Sequence, residues 1–235
     1  MGQLFVVGDI HGCAVELESL LVGLPLTAGD SIVFLGDYVD RGPDSRPTIE
    51  LLLALQRRTE ITTVFLKGNH EDMLLAYLGR DGRYGEVFLQ NGGIETLVSY
   101  GLRPTAGGAE VAAALPASHT RFLEGLVLSH VVSPYLMVHA GIDPRRSLAD
   151  QRAEDLLWIR DRFIARRHPL PYTICFGHTP RREVLFDLPY KIGLDTGCVY
   201  GNRLSCIELR EPRLFDVVAG TRTVRVRGLA HVLRL

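Results

Sequence analysis

Six residues of this chain, of types that bind divalent cations, arrive the same way, at the end of a short apolar run and within two residues of glycine. "LFVVGDIHG" delivers Asp9 and His11, "IVFLGD" Asp37, "TTVFLKGNHE" Asn69, "YLMVHAG" His139 and "TICFGHTP" His178. Aspartate, asparagine and histidine together form a nitrogen and oxygen donor set suited to divalent ions of intermediate hardness, such as Mn, Fe or Zn. Six donors exceed what one tetrahedral ion takes, so two ions sharing a carboxylate is the economical arrangement. Cysteine is absent from all of these positions, which argues against a structural zinc site there. Taken singly, each motif is an ordinary turn or a surface histidine. The chemistry lies in the recurrence, because a carboxylate carried to the rim of a core is costly unless a cation meets it.

The elements that must position these groups are legible from periodicity. Residues 4–7, 32–35 and 62–66 form short apolar runs, and stretches with helical spacing cover 13–24, 44–57 and a segment from about 70. Alternating strands and helices imply an α/β sandwich. From 72 to 128 the pattern changes: Gly-rich breaks ("GRDGRYG", "TAGGAE") separate Leu- and Ala-rich helical pieces. That stretch is expected to be a helical cap insertion within one domain spanning 1–235. Strand patterns return at 135–141 and 172–178, and short strands follow one another from 183 to 227. The strand ends of one sheet are expected to converge on a crevice, where α/β proteins place ligands.

The chain has 235 residues, ample for a sizeable core, with 46% hydrophobic residues and a formal charge of −1. That balance gives no push toward nucleic acid or anionic membrane. Four cysteines without CxxC spacing suit reduced thiols, and no apolar stretch approaches a membrane span, so a cytoplasmic location is expected.

The motifs "GDIHG" (8–12), "GDYVDRG" (36–42), "GNHE" (68–71), "VHAG" (138–141) and "FGHTP" (176–180) resemble the calcineurin-like metallophosphoesterases, in particular their phosphoprotein phosphatase branch. "LDTGCVYGNRL" (194–204) is similar to the end of bacterial members. The resemblance spans about residues 3 to 210. It implies a four-layer αββα sandwich around two packed sheets. Asp9 and His11 would then hold the first metal, Asp37 would bridge, and Asn69, His139 and His178 would hold the second. Manganese is the first expectation, with iron or zinc as alternatives. The implied reaction is in-line attack of a metal-bridging hydroxide on phosphorus. His70, beside Asn69, is the candidate acid for the leaving alkoxide, and Asp40 would keep it protonated. Arg41 offers a planar fork for two phosphate oxygens. The family's distal arginine after a tryptophan is best matched by Arg160, with Arg162 as the alternative. Lys67 is a further candidate for positive charge near the phosphate, and Arg80 and Arg83 for substrate recognition at the mouth beside the "QNGG" stretch.

The resemblance implies a phosphomonoesterase acting on phosphoserine, phosphothreonine or phosphotyrosine in proteins. Its partner would be a phosphoprotein, with neither nucleic acid nor membrane as ligand. The alternative is a phosphoanhydride hydrolase acting on dinucleoside polyphosphates or polyphosphate. Symmetrical dinucleoside tetraphosphatases of the superfamily typically lack the second aspartate of "GDYVDRG", so Asp40 favours the phosphomonoesterase. A non-catalytic scaffold is disfavoured because every expected ligand is present.

Overall fold

Runs of four apolar residues are too short for helices, and their β-branched and aromatic content suits a pleated, buried surface. In the computed structural model, which describes residues 2–229, they form strands. Strands β1 (Leu4–Val7), β2 (Ser31–Phe34) and β3 (Thr62–Phe65) pair in parallel, with Val6 beside Val33 and Val33 beside Val64. On the other side of β1 the sheet continues through antiparallel β9 (Arg203–Glu208), β10 (Arg213–Val218) and β11 (Val224–Gly228). A second mixed sheet has the order β4 (Ser129–Val132), β5 (Tyr135–Val138), β6 (Thr173–Phe176), β8 (Lys191–Gly193), β7 (Leu185–Asp187).

Successive strand residues point to opposite faces, and this alternation builds the layers. Leu4 and Val6 pack with Val33, Met137, Cys175 and Ile192 between the two sheets. Phe5 and Val7 point outward, where Leu17 and Leu20 of α1 (Ala14–Gly23) and Ile49 and Leu52 of α2 (Ser45–Gln56) cover them. On the far side, Leu136, Val138, Ile174 and Phe176 meet Leu156 of α7 (Ala153–Trp158) and Phe163 of α8 (Asp161–Ile164). The result is the α/β sandwich of two mixed sheets between helices.

Residues 72–128 contain the end of α3 (Asn69–Tyr77) and then α4 (Gly93–Ser99), α5 (Gly108–Ala114) and α6 (Ala117–Glu124). Their apolar residues, Phe88, Leu97, Val111 and Phe122 among them, join the cluster that contains Phe5, Phe34 and Tyr38. Phe122 lies with its ring centroid 5.0 Å from that of Phe65 and 5.8 Å from that of Tyr38.

One expectation is corrected. The motif-bearing strands do not belong to one sheet: β1, β2 and β3 are in the first, β5 and β6 in the second. Strand ends in a single sheet lie in a row, about 4.8 Å apart. Two facing sheets let them close a ring, and the loops do meet, since a Cβ on Gly8 would lie 2.3 Å from the Leu194 carbonyl oxygen.

Candidate active site

Three of the motifs, at 8–12, 36–42 and 176–180, turn sharply where their strands end, and the turns are costly. His11, Asp37, Asp40, Arg41 and His178 all adopt the left-handed region, with φ from 47° to 72°. For non-glycine residues this costs on the order of 1–3 kcal/mol each, and such strain concentrates at functional sites. Two glycines let the backbone approach the aspartates closely. A Cβ on Gly68 would sit 2.2 Å from Asp37 Oδ1, and one on Gly177 2.0 Å from Asp9 Oδ1.

Asp37 occupies the centre. Its Oδ2 lies 3.4 Å from His11 Nε2 and its Oδ1 3.4 Å from His139 Nε2. The same carboxylate belongs to two donor clusters, one with His11 and His70 and one with His139 and His178, each with donor atoms within 4.8 Å of one another. Asn69 Oδ1 lies 3.0 Å from His139 Nε2 and 2.8 Å from His178 Nδ1. Two of the imidazoles are oriented by backbone: Nδ1–H of His11 donates to the Val39 carbonyl and Nδ1–H of His139 to that of Leu35, which turns both Nε2 lone pairs inward. Burial depresses His11 to about 3 and His178 to about 2, and lowers His139 likewise, against the pull of Asp37. Neutral imidazoles are the form that ligates.

The donor set fits cations. Asp9 is buried, accepts from the His178 N–H at 2.9 Å through Oδ2, and leaves Oδ1 with no partner. Burial, with the charges of Asp195 and Asp37, pushes its carboxyl well above the usual range. Three carboxyl groups thus crowd one pocket whose His11, His139 and His178 imidazoles are held toward the neutral form. A cationic group already stands at the donor set, with Arg41 Nη1 2.6 Å from His11 Nε2.

Beside the cluster, His70 Nδ1–H donates to Asp40 Oδ2 at 2.7 Å, and His70 Nε2 is buried without a partner. Burial alone would lower this imidazole, but Asp37 and the Asp40 hydrogen bond outweigh it and raise it above its ordinary value. The edge of the ring meets His11, centroids 4.6 Å apart. Arg160 is exposed between α7 and α8, and its charge helps to depress His139 and His178. Arg162 instead pairs with Asp155 at 2.5 Å and Asp143 at 3.6 Å. Lys67 lies 3.6 Å from Asp72, Arg80 2.5 Å from Glu124 and Arg83 3.4 Å from Glu154.

Four supporting residues escaped the sequence reading. Glu71 accepts four backbone N–H groups, from Asp37, Tyr38, Val39 and Gly68, and so clamps the turn that presents Asp37. Thr96 of α4 donates to Asp40 Oδ1 at 2.6 Å and accepts from the Asp40 N–H at 2.9 Å, with the Ser45 hydroxyl 2.9 Å away. Asp195 follows β8 and is pushed up to about 6 by burial and by Asp37, against the Gly197 N–H it accepts. The run "KIGLD" was a signal for Asp195, because it repeats the pattern of an apolar strand ending on a carboxylate. Nothing in the spacing links Thr96 to Asp40, 56 residues earlier.

Two facing sheets with donor-bearing loops at their common edge define a metallophosphoesterase. The family model for calcineurin-like phosphoesterases matches residues 3–220, and the chain belongs to that family of hydrolases. Serine/threonine-protein phosphatase 1 of Salmonella typhimurium is 34% identical over 214 residues, covering 88% of this chain and 92% of its own length. The asymmetrical bis(5'-nucleosyl)-tetraphosphatase PrpE of Oceanobacillus iheyensis is 27% identical over 250 residues, covering 92% of each. A crystal structure of a proposed diadenosine tetraphosphatase matches with a TM-score of 0.69 at 26% identity, over 93% of this chain and 94% of that one. Among the described residues no helix is long and apolar enough to cross a membrane.

Proposed function

We propose that the chain is a dimetal-dependent phosphomonoesterase that hydrolyses phosphoserine and phosphothreonine in proteins, with phosphotyrosine as a further substrate. In this reading Asp9, His11 and Asp37 hold one divalent ion and Asp37, Asn69, His139 and His178 the other, manganese first among candidates. Bound there, such ions supply Lewis acidity toward phosphoryl oxygens and acidify an attacking water.

The chain's own residues do the rest. Arg41 and Arg160 bind the phosphoryl oxygens, Arg41 as a planar fork. His70 carries its mobile proton at Nε2, since Nδ1–H is committed to Asp40. It passes that proton to the departing oxygen, while Asp40 stabilises the imidazolium beforehand. The Asp40–His70 pair is the observation that carries the reading. An alkoxide leaving group is strongly basic and needs a proton as its bond to phosphorus breaks; a phosphate or nucleotide leaving group is weakly basic and does not.

The second reading is a phosphoanhydride hydrolase acting on dinucleoside polyphosphates, favoured by the PrpE relative and its near end-to-end coverage. The presence of Asp40 speaks only against the symmetrical enzymes, whereas that relative is asymmetrical. A panel of phosphothreonine peptides, diadenosine tetraphosphate and polyphosphate with added manganese separates the two. A higher kcat/KM on the phosphopeptide is expected; a higher one on diadenosine tetraphosphate overturns the phosphoprotein reading and leaves the metal chemistry intact.

A further inference from the structure

Cys13, Glu16 and Cys198 take no part in the chemistry above, yet their two sulfurs and a carboxylate oxygen lie within 4.8 Å of one another. They come from separate places. Cys13 caps the start of α1 two residues after His11, Glu16 is the third residue of that helix, and Cys198 opens the 3-10 turn Cys198–Tyr200 after Asp195. Glu16 is only 8% exposed. Among the described residues it accepts one hydrogen bond, from the Gly220 N–H at 2.7 Å, and enters no ion pair, while Arg222 pairs with Glu18.

A buried carboxylate without a counter-charge is costly. The N-terminus of α1 offsets part of that cost. Two thiols beside it add soft donors of the kind that bind zinc or cobalt in preference to manganese or magnesium. We propose that Cys13, Glu16 and Cys198 form a further cation site, distinct from the Asp37 clusters and selective for a borderline-soft divalent ion such as zinc. Both thiols ligate as thiolates, releasing their protons to solvent, and water completes the tetrahedron. Donors around such an ion stand about 3.5–3.8 Å apart, so closing the site takes shifts of at most about 1 Å. Cys13 is half-buried and gives the ion a path inward. The ion would fasten the start of α1, which continues the His11 loop, to the turn that carries Asp195.

Cobalt(II) titration of the full chain, in a non-thiol reductant, tests this directly. The Asp37 clusters contain no sulfur, so a near-ultraviolet thiolate-to-cobalt charge-transfer band reports the new site alone. The band is expected in the wild type, is expected to persist in Asp37→Asn, and is expected to vanish in Cys13→Ser/Cys198→Ser while the visible cobalt bands of the other sites remain. Saturation without the band overturns the proposal, as does a band that survives the double serine substitution. Should that variant not fold, cadmium NMR of the wild type decides. A resonance in the thiolate-ligated range supports the site, and resonances from nitrogen and oxygen ligation alone overturn it.

Discussion

Thr96→Val is the substitution that most directly tests whether Asp40 and His70 act together. Valine keeps the shape and removes one hydroxyl. Asp40 Oδ1 loses its one side-chain donor among the described residues, the Thr96 hydroxyl at 2.6 Å, while the Asp40 N–H keeps Ser45 Oγ at 3.1 Å. One buried acceptor is therefore orphaned, at a cost of about 1–3 kcal/mol. At about 2–4 °C per kcal/mol for a chain of this size, Tm falls by roughly 2–12 °C. The catalytic effect is separate. The Thr96 hydrogen bond favours the ionised form of Asp40, against the burial that raises it. Its loss makes Asp40 a weaker partner for the imidazolium, and a charge-assisted bond worth about 1.5–3 kcal/mol corresponds to roughly one to two pKa units. If about half reaches His70, turnover of an alkyl ester falls roughly three- to tenfold, a fraction of the 10²–10⁴-fold contributed by a general acid. The assay is kcat on a phosphothreonine peptide against kcat on p-nitrophenyl phosphate, whose leaving group needs little protonation. The peptide is expected to suffer several-fold more, and Thr96→Ser to restore both rates. Equal losses on the two substrates, or a lowered Tm with both rates unchanged, would refute the coupling.

His70→Asn should retain metal but lose about 10²–10⁴-fold in turnover of alkyl phosphates, with a smaller loss on aryl phosphates; equal losses exclude it as the acid. Asp37→Asn should lower occupancy of both ions and His178→Ala mainly that of one, measured by elemental analysis after reconstitution with manganese; about two ions per wild-type chain are expected. Gly92 sits at φ +97° with its carbonyl accepting the Arg41 N–H, and an added Cβ would lie 2.6 Å from Arg41 Cγ. Gly92→Ala is thus expected to cost about 1–3 kcal/mol of stability and to raise KM for every phosphate ester tested. Arg83→Ala should raise KM for acidic phosphopeptides more than for p-nitrophenyl phosphate, because Arg83 and Tyr84 pair with Glu154 beside Trp158, whose ring lies 6.2 Å from that of His178. Arg80→Ala, tied to Glu124, should change neither.

The parallel strands and the residues at their ends were legible because period and composition are local. A run such as "IVFLGD" announces both a buried strand and the carboxylate it delivers. Partition into two sheets was not legible, since local pattern says nothing about which strands share hydrogen bonds. β4 was missed for a related reason: "SHVV" is short and only half-buried, so its apolar signal is weak. Thr96 and Ser45 belong to the same class of omission. A threonine inside a helix is unremarkable in sequence, and only tertiary packing brings it to a carboxylate. The choice between Arg160 and Arg162 is open in sequence; in the structure Arg162 is held by Asp155 and Asp143, while the Arg160 charge helps to depress His139 and His178, which supports Arg160 in the proposed reading.

The contacts at Asp40 and Arg41 bear on how selectivity can change in this fold. Asp40 is held through Thr96, and the Arg41 N–H donates to the Gly92 carbonyl at 2.9 Å, so both depend on the segment from 91 to 96. That segment is the entry to the helices on which substrate discrimination is expected to lie. The strained φ values of Asp40 and Arg41, 72° and 69°, persist only because these contacts over-determine them. Replacing the 72–128 helices with those of a relative is therefore expected to loosen the contacts that hold Asp40 and Arg41, the proposed acid partner and phosphate fork. Transfer of specificity between phosphoprotein and nucleotide substrates then requires the Gly92 turn and Thr96 to stay fixed while the chain beyond α4 varies. A graft that keeps 91–96 should retain kcat on p-nitrophenyl phosphate, and one that exchanges it should lose turnover before it gains any new substrate.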